Sequence, residues 1–182
     1  MEVDAERGRV VTGWGTVAAW VAGALAFAVV VFVLAGAERV WGLFGPADLG
    51  DIKFETLERR SSPNDALAMP EGFGAARLDM TSPVYAVPPR ALRDAFGRAL
   101  AGEKRLFRVA EDEVALTARY VQRTALLGFP DTIVVRFVAV GPERSSIALY
   151  SRSKFGYSDL GANKERLERW LVVLAREVPP VK

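Results

Sequence analysis

The sequence predicts an α+β protein. One N-terminal transmembrane helix is followed by an antiparallel sheet packed on one face by two helices, in the order β-α-β-β-β-β-α. Three observations carry this. A run of 28 residues between Arg9 and Glu38 holds no charge. Four segments between Arg105 and Ser153 alternate apolar and polar residues and are separated by short turn signals. Two further segments repeat apolar residues at helical spacing.

Residues 1–11 read as an N-terminal tail. The transmembrane helix is expected over Thr12–Phe44, because about 20 apolar residues span a bilayer core. Trp14 and Trp41 fit interfacial positions some 40 Å apart at the α-helical rise, and Pro46 with its neighbouring glycines ends the segment. A cleaved signal peptide is the competing reading, since "AGA" at Ala35–Ala37 has the small-x-small form of a cleavage site. Against it, the run exceeds a signal core of ~7–15 residues, and "MEVDAER" is not a positive leader. Arg7 and Arg9 before the run balance Arg39 and Lys53 after it, so positive-inside counting gives no orientation. Gly15, Ala19 and Gly23 form a small-residue stripe of the kind that admits a second membrane helix.

Residues 45–79 read as an irregular acidic connector, with one possible short strand at "DIKFETL". Residues 80–182 read as the α+β domain. "VYAV" suits a short strand. Pro89 suits the first position of a helix whose Leu92, Phe96 and Leu100 share a face, with Gly102 at its end. The strands follow in "RLFRV", "EVALTARYVQRT", "DTIVVRFVAV" and "SSIALYSRS". Leu167, Trp170, Leu171, Leu174 and Val178 mark the closing helix. Alternation turns Leu116, Ala118, Tyr120, Ile133, Val135, Phe137, Ile147 and Leu149 towards the helices. The other face then carries Arg119, Arg123, Arg136 and Arg152 among Val134, Val138 and Tyr150. Such a face is either simply solvated or an open basic surface for an acidic partner or anionic lipid.

The chain has no cysteine and no histidine. Disulfides, thiol chemistry, the commonest general base and the commonest transition-metal ligand are therefore excluded. No metal and no cofactor is expected, and "GFGAAR" lacks the third glycine and preceding strand of a phosphate loop. Net charge is +2, which does not suggest nucleic acid. From Pro46 to Val87, 4 basic residues face 7 acidic ones; from Pro88 onward, 17 face 11.

The basic half contains "SRSKFGYSDLGANKERLERW", Ser151–Trp170. Asn163 suits an N-cap, and Ser158, Asp159 and Gly161 suit the tight turn before it. The same atoms, with Arg152, Lys154 and Lys164, also suit an anion or partner site at a helix start. Ser153 or Ser158 as nucleophile would need Lys154 or Asp159 as base. Asp131 is expected to pair with one of the arginines.

"IALYSRSKFGYSDLGANKERLERWLVVL" resembles the closing motif of domain-of-unknown-function family 1499. "YVQRTALLGFPDTIVVRF" and "SSPNDALAMP" resemble two weaker family segments, so the likeness covers about Pro63–Leu174. It implies no defined activity. It does imply a soluble domain following a membrane helix or export signal, hence a single-pass protein of the bacterial inner membrane with its domain on the periplasmic side. The first functional expectation is a non-enzymatic accessory or interaction module for a membrane complex or the membrane surface. Its partners would be membrane lipid and a transmembrane helix or membrane protein complex. The alternative is a binding domain for a small anionic or lipid-like ligand, with a hydrolase third.

Overall fold

The computed structural model describes residues 7–181, with side chains from Trp14 onward. Most of the tail expected over 1–11 lies outside the described residues. The chain forms two compact units, residues 1–45 and 46–182.

In the first unit, helix α1 spans Arg7–Ala35. Its segment Trp14–Ala35 has 22 residues, a mean hydropathy of 2.7 and no buried position. At the α-helical rise this is about 33 Å, enough to cross a bilayer core by length and composition. The helix does not continue to Phe44. Gly36 takes φ 80°, and a short second helix, α2, runs Ala37–Gly42. Glycine carries no Cβ penalty in this conformation, so it is where the rod breaks. Trp41 packs edge-on to Phe32 at 5.8 Å, so Trp14 and Trp41 do not lie on one straight rod as the sequence suggests.

The second unit is built on a six-stranded sheet. Its strands are β1 (Asp65–Met69), β2 (Met80–Thr81), β3 (Leu106–Asp112), β4 (Thr117–Arg123), β5 (Pro130–Gly141) and β6 (Arg144–Ser153). The spatial order is β2-β1-β6-β5-β4-β3. The four strands between Leu106 and Ser153 are antiparallel, as the alternation predicts, and β1 extends them antiparallel to β6. Only β1 and β2 pair in parallel. Helices α3 (Pro89–Ala99) and α4 (Ala162–Glu177) complete the α+β fold, with Pro89 at the start of α3.

Both helices lie on one face. Leu92, Phe96, Leu167, Trp170 and Leu174 pack there with Ile133, Val135, Phe137, Ile147 and Leu149. Phe96 stands edge-on to Trp170 at 5.8 Å and to Phe137 at 5.6 Å, the arrangement that aromatic quadrupoles favour.

The connector differs most from expectation. "DALAM" becomes strand β1, while "DIKFETL" contributes only a 3-10 turn at Phe54–Thr56. "VYAV" is no strand: Tyr85 makes isolated bridges to Ser145 and Pro180. Prolines at 83, 88 and 89 flank the segment, and Tyr85 exchanges backbone bonds with Ser145. The connector also covers the second face of the sheet. Phe54, Leu67, Met69, Val134, Ala148 and Tyr150 form a separate buried cluster, flanked by Ile52, Leu57, Phe73 and Leu78. The sheet is therefore sandwiched between two helices and an irregular chain, and its second face is not open.

Gly74 shows how tightly that cover fits: a Cβ there would stand 2.6 Å from the Phe54 carbonyl oxygen. Gly97, in α3, has open space around the corresponding position. Gly74→Ala is expected to lower the melting temperature. Gly97→Ala should raise stability by about 0.5–1 kcal/mol through helix propensity. Thermal unfolding followed by circular dichroism checks both signs.

Candidate functional site

Polar chemistry concentrates at one end of the sheet, where β4 and β6 finish, β1 and β5 begin, and α4 starts. On α4, Asn163 and Arg166 continue towards the N-terminus the stripe that holds Leu167, Trp170 and Leu174. Both are carried under the sheet's end rather than into solvent. The Arg166 guanidinium donates from Nη2 to Asp131 Oδ2 at 2.6 Å and from Nε to Gln122 Oε1 at 2.6 Å. Nη1 donates to Ser151 Oγ at 2.7 Å and to Asn163 Oδ1 at 2.5 Å. The side chains of Arg166 and Asp131 are only 7% and 4% exposed. Asn163 is fully buried. Its Oδ1 also accepts from Ser151 Oγ at 2.6 Å, and its Nδ2 donates to the Asn64 carbonyl and to Ser153 Oγ.

Asn163 is thus not the helix cap that its position suggests. Asp159 caps α4: Oδ1 accepts from Gly161 N at 3.0 Å and Oδ2 from Asn163 N at 2.8 Å. Gly161, at φ 88°, turns the chain between them. Ser158 Oγ accepts from Leu160 N. Where an anion was expected, the Gly161 and Asn163 N–H groups are taken by the Asp159 carboxylate and the Ala162 N–H by the Asp159 carbonyl. Neither expected base is idle. Asp159 is the cap, and Lys154 Nζ donates to the Pro46 carbonyl at 2.7 Å, lying 5.2 Å from the centre of the Phe155 ring.

The basic sheet face is also engaged internally. Arg119 pairs with Asp48 at 2.8 Å, and Arg136 pairs with Glu55 at 2.5 Å beneath Phe73. Arg152 Nη2 donates to the Leu49 and Gly50 carbonyls, and its burial lowers the guanidinium's pKa. Arg123 donates to the Gly128 carbonyl. These arginines hold the connector and a turn instead of facing solvent as an open patch. Asp131 does pair with an arginine, as expected, but with Arg166. Arg166 is a charge set on the apolar stripe of α4, which is a signal visible in the sequence.

Beside this corner lies a cleft of about 590 Å3 lined by Arg59, Arg60, Arg77, Asp159 and Lys164, among others. Arg59 is clamped between Asp65 and Asp79, at 2.5 and 2.8 Å. Asp65 in turn accepts from Tyr150 Oη at 2.7 Å. The cleft thus gathers Ser158, Asp159 and Lys164 of the expected site, while Arg152, Lys154 and Asn163 are held elsewhere in the fold. The stripe of Gly15, Ala19 and Gly23 sits on α1, with open space beside both glycines.

The sequence model of DUF1499, described as a protein of unknown function, matches residues 61–174. The chain belongs to this family. No curated protein and no solved structure matches the chain. The family span holds all six strands, α3, nearly all of α4 and the whole buried polar corner. It leaves out α1, α2 and residues 46–60, which cover the second sheet face. The DUF1499 closing motif is, in this chain, the strand-to-helix corner built on Ser151, Ser153, Asp159, Asn163 and Arg166.

Removing one partner of the buried pair leaves a desolvated charge. Asp131→Ala is expected to cost about 3–5 kcal/mol, whereas Asp159→Ala should cost about 1 kcal/mol as an ordinary cap loss. Urea unfolding of the two variants checks the order.

Alkaline pH gives a second test. Burial pushes Tyr85 up to about 12, and burial followed by the bond to Asp65 pushes Tyr150 higher still. Folded values above the unfolded value near 10 favour the protonated folded state. Their contribution is intact below about pH 10 and lost as pH rises through the folded values. The urea midpoint should therefore decline above about pH 10, and Tyr85→Phe should flatten that decline.

Proposed function

We propose that the chain is a single-pass membrane protein whose α+β domain is a non-enzymatic interaction module for a membrane complex or the membrane surface. The carrying observation is the use made of the family motif. Ser151, Ser153, Asn163 and Arg166 bond to one another in the buried corner, and Asp159 accepts from the backbone at the start of α4. Ser151 and Ser153 have hydrogen-bond partners in Asn163, and Ser151 in Arg166 as well. A serine nucleophile needs an adjacent unengaged base, whereas here a permanently charged guanidinium stands beside Ser151. Such a motif specifies a rigid corner, and rigid corners present surfaces. The apolar helix ahead of the domain supports anchoring, and the family resemblance favours the periplasmic side of the inner membrane.

The test is purification of the full-length chain in mild detergent, followed by mass spectrometry of proteins and lipids. A membrane protein retained in fixed ratio, or anionic lipid carried along, is the expected result; intact mass should show that α1 is kept. A second reading has its own support in the cleft, where Arg60, Arg77 and Lys164 exceed the free acidic groups because Asp65 and Asp79 are engaged with Arg59. A small anionic or lipid-like ligand there would appear in the same spectra and vanish in Arg77→Ala.

A further inference from the structure

We propose that the end of the domain bearing the β4–β5 turn and the β6–α4 loop is a lipid-docking surface. It would rest on the same bilayer that α1 crosses. The inference deepens the anchoring reading and depends on it.

The first observation is where the chain enters the domain. Pro46 is held by Lys154, Ala47 and Leu49 by Thr132, and Leu49 and Gly50 by Arg152. All three holding residues sit where β5 begins or β6 ends. Ala35, the last residue of α1, is 11 positions before Pro46. Even fully extended, that tether reaches only about 40 Å, roughly the size of the domain itself.

The second observation is what this end displays. Leu126 is 88% exposed, Tyr157 77% and Leu160 92%. These residues stand on two loops that contact each other through Phe129 and Phe155, whose rings lie 5.8 Å apart. Large apolar side chains at loop tips, with a tyrosine among them, suit the boundary between headgroups and acyl chains.

The third is charge. Arg60, Lys104, Arg105 and Lys164 are exposed around the same end, partly offset by Glu58 and Glu165. The turns at the opposite end carry Glu111, Asp112, Glu113 and Glu143, offset by Arg144, by Arg108 paired with Glu111, and by Arg90 and Arg93 of α3, so this end lacks the basic excess of the first. An anionic leaflet attracts the first end more than the second. A docked protein partner would use apolar tips equally well, but it would not require them to cluster where the membrane tether enters.

The chain lacks cysteine, so single-cysteine variants label cleanly. Leu126→Cys, Tyr157→Cys, Leu160→Cys, Val114→Cys and Phe27→Cys would each carry the fluorophore NBD. The full chain would be reconstituted in phosphatidylethanolamine–phosphatidylglycerol vesicles. Val114 is 90% exposed on the turn at the opposite end, and Phe27 reports α1. Doxyl-labelled lipid should quench the labels at 126, 157 and 160 several-fold more than the label at 114, and aqueous iodide should show the reverse order. Replacing phosphatidylglycerol with phosphatidylcholine should weaken the lipid quenching. If 27 reads lipid but 126, 157 and 160 match 114, the docking surface is refuted and the anchor stands. If 27 also reads water, both fail. Protection from iodide without doxyl quenching would assign the surface to a protein contact and overturn the lipid proposal.

Discussion

One buried guanidinium organises the domain. Arg166 reaches from α4 to the ends of β4, β5 and β6 through Gln122, Asp131 and Ser151, and back to its own helix through Asn163. Taking an arginine and an aspartate out of water costs several kcal/mol per ion. The pair persists because a short charge-assisted bond and neutral acceptors satisfy the rest of the guanidinium. Such a node rewards only one register. Sliding β6 by one residue would turn Ser151 away and leave the charge with fewer partners. The apolar core on the helix face tolerates substitution by volume. The polar node does not, because its partners are fixed in number and direction.

The second face is organised by a different device. An irregular chain has few backbone partners of its own, yet it covers Leu67, Val134 and Tyr150 as closely as a third helix would. Arginines rising from the sheet meet carboxylates and carbonyls of residues 48–55, and Phe54 fills the apolar centre. The acidic character of the connector and the basic character of the sheet face are two halves of one contact. Charge separated along the sequence is joined in space.

The elements with a single exposed side were legible. Helices α3 and α4 and the antiparallel strands each show their period, because one flank meets water. Strand β1 hid because it is buried on both sides. Ala66 and Ala68 meet the helices while Leu67 and Met69 meet the connector, so "DALAM" shows no alternation. Alternation puts the arginines of β4, β5 and β6 on the correct face, but nothing local says that the face is covered, since Asp48, Leu49, Gly50 and Glu55, which meet Arg119, Arg136 and Arg152, lie at least 71 residues upstream. At the corner, Asn163 fits the composition of a cap. The left-handed residues Leu160 and Gly161 let α4 begin at Ala162, two residues earlier than a cap at Asn163 implies, so Asn163 lies inside the first turn and the capping role falls to Asp159.

These assignments divide the polar residues into two populations. Ser151, Ser153, Asn163 and Arg166 of the family motif face inward and fix the strand-to-helix corner. Tyr157, Leu160 and Lys164 of the same motif face outward, with Leu126 on the neighbouring turn and Arg60 beside them. A rigid node directly beneath two short loops limits how far their tips can drift. Binding through Leu126, Tyr157 and Leu160 would then lose little entropy to ordering. The buried motif and the exposed tips are therefore coupled: the first fixes the shape that the second presents.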